Sequence, residues 1–140
     1  MVILFDQFNL SEDVYEVIFA TEQQVEVAKE LIKQLKKANG VMNKTQMSEF
    51  ATALHDGNLQ VMMPVKIGLG VQYKPVKMSY NKRQFYDRIL TPMKSMGMID
   101  YDLYAKNYKL SDKFTKTINK LAMMWVNESK KPGLKVAKYA

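Results

Sequence analysis

The chain has 140 residues, 47% hydrophobic, 11% aromatic and 25% charged, which suits one domain with a buried core and excludes a collagenous, disordered or disulfide-stapled chain. Its formal charge of +7 is unevenly spread: residues 1–28 carry six acids and no Lys or Arg, whereas 29–140 carry 21 bases and 8 acids. A basic body of this kind favours an anionic partner, nucleic acid before others.

With no cysteine, disulfides, thiolate metal sites and Cys nucleophiles are excluded, and a reducing compartment is allowed. The single histidine, His55, leaves no His-pair zinc set and no Ser-His-Asp triad, and it is read as a surface or capping residue. No metal, no cofactor and no enzymatic activity are expected. Met1-Val2-Ile3-Leu4-Phe5-Asp6 has no basic n-region and does not suit a signal peptide. Nowhere do 18 consecutive apolar residues occur, so no membrane span is expected and a cytoplasmic place is inferred.

Residues 1–20 form an acidic and apolar segment in which Val14, Tyr15, Val17, Ile18 and Phe19 cluster, and both helix and strand fit it. Thr21-Glu22-Gln23-Gln24 reads as a capping box, with the Thr hydroxyl taking an early N–H and Gln24 reaching back. Val25, Ala28, Leu31, Ile32 and Leu35 then recur at helical spacing until Asn39-Gly40 supplies a stop. A second, shorter helix opens at Asn43 or Thr45, buries Met47, Phe50, Ala51 and Leu54, and closes at Asp56-Gly57.

Between Asn58 and Tyr80 the residues turn β-prone, with Pro64 and Pro75 interrupting and Gly68-Leu69-Gly70 offering a turn, which predicts a hairpin or extended loop. The 3.6 period returns over 81–96, with Phe85, Ile89, Met93 and Met96 on one side, Leu90 on the outer half and Gly97 past the end. Pro92 predicts a kink or restart near Thr91. Residues 98–110 read as a small hairpin, and Ser111-Asp112 opens a last helix, about 111–130, before a basic tail at 132–140.

The stretch Asn81 to Phe114, N-K-R-Q-F-Y-D-R-I-L-T-P-M-K-S-M-G-M-I-D-Y-D-L-Y-A-K-N-Y-K-L-S-D-K-F, resembles the second half of a winged helix-turn-helix domain. A helix ends in Met96-Gly97, Met98-Ile99 starts a strand, a polar tip follows, and Tyr108-Lys109-Leu110-Ser111-Asp112 returns into another helix. The resemblance implies a mostly helical α+β fold over residues 21–131, with a three-helix core, a wing at about 98–110 and a C-terminal helix. It departs from the family at about 57–80, where two dozen residues stand in place of a tight turn. Either a hairpin is inserted there, or part of 58–78 belongs to the core.

If Phe85, Ile89, Met93 and Met96 face inward, Tyr80, Arg83, Gln84, Asp87, Thr91 and Lys94 face outward, with Asn81 at the helix start and Lys82 and Arg88 flanking. Arg forks onto guanine and Gln bridges adenine, the chemistry a major-groove helix uses. The resemblance then implies a duplex-DNA-binding transcriptional regulator, associated with the nucleoid, whose wing at 104–109 sets Lys106, Asn107 and Lys109 on backbone or minor groove. Tyr101, Tyr104 and Tyr108 are read as packing residues before stacking ones, and Asp100 and Asp102 as turn-flanking acids.

Phe114, Ile118, Leu121 and Trp125, spaced four, three and four, form a seam that closes the core or pairs with a second copy, and a homodimer is expected. The acidic first 28 residues are expected on a dimer or partner face, dispensable for DNA binding. The alternative is a winged-helix interaction subunit of a transcription, replication or chromosome-organising assembly. Leu90 and the segment 57–80 favour that view, and residues 1–20 or 57–80 offer the contact to a protein partner.

Overall fold

A computed structural model describes residues 4–133; most of the expected basic tail, residues 134–140, and the first three residues lie outside the described residues. The fold is α+β, about half helical, with a three-stranded antiparallel sheet and a separate two-stranded hairpin. The N-terminal segment resolves as a short helix, α1 (Val14–Ile18), which Asp13 caps by accepting from the Tyr15 N–H at 2.9 Å. The second Asp13 oxygen reaches Lys29 Nζ at 2.7 Å, and Phe19 is buried behind the helix, so this segment is fastened to the body.

Helix α2 (Glu22–Lys37) starts as expected at Thr21, whose hydroxyl accepts from the Gln24 N–H at 3.1 Å. The reciprocal half of the capping box does not form, because the Gln24 side chain turns to the Tyr80 hydroxyl at 3.5 Å. Val27 and Glu30 are buried beside the expected Val25, Ala28, Leu31, Ile32 and Leu35, because α2 is enclosed from more than one side. This corrects the reading of residues 1–28 as one dispensable segment: 22–28 are the first two turns of a core helix.

A strand that sequence periodicity gave no sign of, β1 (Val41–Asn43), follows α2, and Asn43 then opens α3 (Lys44–His55) with a complete capping box to Gln46. Met47, Phe50, Ala51 and Leu54 are buried as their spacing requires. Residues 57–80 form a hairpin of β2 (Leu59–Ile67) and β3 (Gly70–Met78) in unbroken register, and only its base, at Val61 and Met78, joins the core.

The expected helix at 81–96 runs as α4 (Lys82–Phe85), a π-helical turn (Tyr86–Leu90) and α5 (Thr91–Ser95), in which the Thr91 N–H reaches back five residues to the Tyr86 carbonyl. Pro92 explains it: proline supplies no N–H and its ring collides with the carbonyl four residues earlier, a crowding that a wider turn relieves. The extra residue shifts the phase, so Ile89 and Leu90 are both buried and Met96 is only half-buried. Leu90 therefore does not face outward as a uniform period predicts, and it offers nothing to a partner.

After Gly97 come β4 (Ile99–Asp102) and β5 (Asn107–Leu110), and the sheet runs in the order β1-β5-β4. Its inner face carries Met42, Tyr108 and Tyr101 in register. Helix α6 (Lys113–Lys130) follows, with Ser111 Oγ accepting from the Lys113 N–H at 3.2 Å, while Asp112 pairs with Lys116 instead of capping. No residue of α6 is buried.

The start of α6 presses on Gly97. The Gly97 carbonyl accepts from the Phe114 N–H at 2.9 Å, its φ is +84°, and a Cβ there would lie 2.9 Å from both the Lys113 Cβ and the Phe114 nitrogen. Both conditions call for glycine. Gly97→Ala is expected to destabilise the fold by about 1–3 kcal/mol, read as a lowered urea midpoint with an unchanged slope; an unaltered midpoint would show that this contact yields freely.

Candidate nucleic-acid interface

Anchored by Phe85, Ile89, Leu90 and Met93, the α4–α5 helix turns Arg83, Gln84, Asp87, Arg88 and Thr91 outward, all exposed. Phe85 fixes the inner side, its ring edge-on to Phe50 of α3 at 5.5 Å between centroids. Arg83 and Asp87 approach only to 3.8 Å with both side chains largely in water. Such a pair contributes little to stability, so the guanidinium is free to take another acceptor.

The remaining residues expected on this face have different duties. Tyr80 is buried at 7% exposure, with its N–H donating to the Leu54 carbonyl at 3.0 Å, so it belongs to the core and not to an outer surface. The helical wheel failed there because Tyr80 precedes the helix. Asn81 is the N-cap, its side-chain oxygen accepting from the Gln84 N–H at 3.1 Å. Lys82 is half-buried and donates from Nζ to the Thr52 hydroxyl at 3.0 Å.

Two residues that sequence reasoning did not place at the site position it. His55, at the end of α3, accepts the Lys82 backbone N–H on Nδ1 at 3.2 Å, and Thr52 holds the Lys82 side chain. The capping guess for His55 was right in kind, although the helix it caps is not its own. Its contact lies 27 residues downstream, across the β2–β3 hairpin, where no local pattern signals it.

Lys94, half-buried, lies over the Tyr101 ring at 5.6 Å and the Tyr108 ring at 5.9 Å, two rings that pack at 4.6 Å between centroids. Burial pushes the Tyr108 phenol above its ordinary value, and the Lys94 ammonium is attracted to the π faces it lies over. Lys94 thus joins α5 to the β4–β5 hairpin. Tyr101 and Tyr108 are packing residues, as expected, whereas Tyr104 at the hairpin tip is fully exposed beside the exposed Leu103.

At that tip Lys106 is exposed with a left-handed φ of +54°, and its carbonyl accepts from the Lys44 N–H at 3.0 Å, tying the tip to the start of α3. Lys109 is exposed on the outer face of β5 opposite Asp100. Asn107 is half-buried, and its side-chain oxygen is enclosed without a hydrogen-bond partner among the described residues, a poor arrangement for a surface reader. The two acids are structural: Asp100 pairs with Lys113 at 2.9 Å, and Asp102 accepts from the Tyr104 and Ala105 N–H groups at 2.9 and 3.1 Å. Among the described residues no group of three or more His, Cys, Asp or Glu side chains is arranged to hold a metal ion.

Those two backbone donors hold the Asp102 carboxyl below its usual 3.8. A depressed carboxylate pKa contributes stability that is present above the unfolded-state value and lost as pH falls through the folded one. The tip should therefore stay ordered at neutral pH and loosen below about pH 4. Hydrogen exchange at the Tyr104 and Ala105 amides is expected to rise in Asp102→Ala at pH 7 relative to the parent, and protection equal to the parent would count against the turn's dependence on Asp102. Comparison with known proteins finds no matching protein family, no similar curated protein and no similar solved structure, so the reading of this surface rests on its own chemistry.

Proposed function

We propose that this chain is a winged helix-turn-helix protein that binds double-stranded DNA and acts as a homodimeric transcriptional regulator in the cytoplasm. The observation that carries the reading is the exposed face Arg83, Gln84, Arg88 and Thr91 on a helix whose opposite face is buried, next to a β-hairpin with Lys106 and Lys109. The order of three helices, α2, α3 and α4–α5, followed by the β4–β5 hairpin supports the reading as a core and wing. Charge supports it as well: residues 71–140 carry 15 bases and 5 acids, against 6 bases and 9 acids in 1–70. In this reading Arg83 and Gln84 meet base edges, while Arg88, Lys106 and Lys109 meet phosphates.

Binding to duplex should weaken steeply with salt, each phosphate contact contributing about 0.9 to the slope of log affinity on log salt. In fluorescence-anisotropy titrations, Arg83→Ala should relax base preference at one position by about 1–3 kcal/mol, while Lys106→Ala lowers affinity for all sequences alike. Absence of duplex binding by the parent chain at low salt would end the proposal.

The dimer reading rests on α6. Most helical stability in proteins comes from packing an apolar face, yet no residue of this 18-residue helix is buried: Ile118, Leu121 and Trp125 are 47%, 43% and 70% exposed, and Phe114 is half-buried at its root. Pairing two such seams covers both stripes. Leu121→Glu should convert a dimer to a monomer in light scattering, and a parent chain that is monomeric at micromolar concentration would sink this part.

A further inference from the structure

The β2–β3 hairpin takes no part in the interface described above, although it is the longest extension of the fold. Its nine paired positions reach about 30 Å at 3.3 Å per residue. Only its base is buried; beyond Val65 every residue to Lys77 is exposed, ending in Leu69, whose exposure of 110% is that of a side chain with no neighbours. Between Gly57 and Tyr80 there are three lysines and no carboxylate.

The kind of occupant follows from the register. Gly68 and Leu69 form a two-residue turn closed by the pair Ile67 and Gly70, and with ladder bonds on alternate pairs, Pro64 and Pro75 stand at positions whose backbone nitrogens point away from the partner strand. Each edge of the ribbon therefore lacks one outward donor, which opposes a protein partner that would add a strand. Lys66 pairs with Val71 and Lys74 with Met63, so the two lysines stand on opposite faces of the ribbon. A ribbon with a cation on each face suits a cleft walled on both sides by anions. The grooves of duplex DNA are such clefts, and the major groove is wide enough for a two-stranded ribbon.

Placement agrees. β3 ends at Met78, and Asn81, the cap of α4, is three residues on, so the arm leaves the body at the N-terminal end of the helix carrying Arg83 and Gln84. We propose that the β2–β3 hairpin is a second DNA-contacting arm. It follows a groove flanking the bases met by α4–α5, with Lys66 and Lys74 on phosphates to either side and Leu69 wedged at a base step, a use to which exposed apolar side chains are put in bent DNA. This inference rests on the DNA-binding reading above and extends it to residues outside the helix and wing.

The full chain is titrated with a duplex selected for binding, and compared with Lys66→Glu/Lys74→Glu, Lys66→Gln/Lys74→Gln and Leu69→Ser. All three changes fall on exposed side chains, and an unchanged thermal midpoint establishes folding. The expected result is a tenfold or greater loss of affinity for the Glu pair, a salt slope lower by about two for both lysine pairs, and a hydroxyl-radical footprint shortened on one flank. Leu69→Ser should lower the end-to-end energy transfer that reports bending.

Parent-like affinity, slope and footprint in the lysine variants, with Arg83→Ala still impaired, would overturn the arm and leave the DNA-binding reading standing. No binding by the parent would remove both. Co-sedimentation of the parent, and not of the Glu pair, with phosphatidylglycerol vesicles alongside unchanged DNA binding would make the arm a lipid contact and overturn the proposal.

Discussion

The arrangement depends on how the α4–α5 helix accommodates Pro92. A straight α-helix through that position would drive the pyrrolidine ring against the Arg88 carbonyl, and the π turn at Tyr86–Leu90 removes the conflict. Its second effect is on packing. With one extra residue in the turn, Phe85, Ile89, Leu90 and Met93 all reach the core, a broader inner face than a uniform period allows. That burial holds the helix firmly enough for its outer residues to be carried in a fixed orientation, with little assistance from ion pairs in water.

Most of the elements were legible because they announce themselves locally. The stop at Asn39-Gly40, the cap at Asn43, the apolar stripe of α3, the Gly68-Leu69 turn and the Met96-Gly97 junction all depend on residues within a few positions of one another. β1 was invisible because three residues hold no periodicity, and its existence depends on pairing with β5 more than sixty residues later. Leu90 was misplaced because a constant 100° step has no means of representing a π turn. Gln24 was misplaced because a tertiary partner, the Tyr80 hydroxyl, competed with the local one.

The candidate interface was legible to a similar degree. Arg83, Gln84, Asp87, Arg88 and Thr91 stand outside as their spacing on the helix requires. Tyr80, Lys82 and Lys94 serve instead to bury or brace, because contacts with other elements decide their roles, while Asn81 is taken up by the local cap of α4 and the Asn107 side-chain oxygen is enclosed. His55 and Thr52 show the same in reverse: nothing near them in the chain signals that they brace a helix some thirty residues away.

The close approach at Gly97 reaches beyond stability. Since the first turn of α6 is bonded to the residue that ends the α4–α5 helix, and the Ser111 N–H donates to the Met98 carbonyl just behind it, α6 has little freedom to swivel about that joint. In the proposed dimer the two copies of α4–α5 would then stand at a set separation, like the jaws of a locked caliper. Such a protein tolerates few spacings between the halves of its target, and an inserted base pair at the centre is felt as torsion across the joint more than as a lost contact.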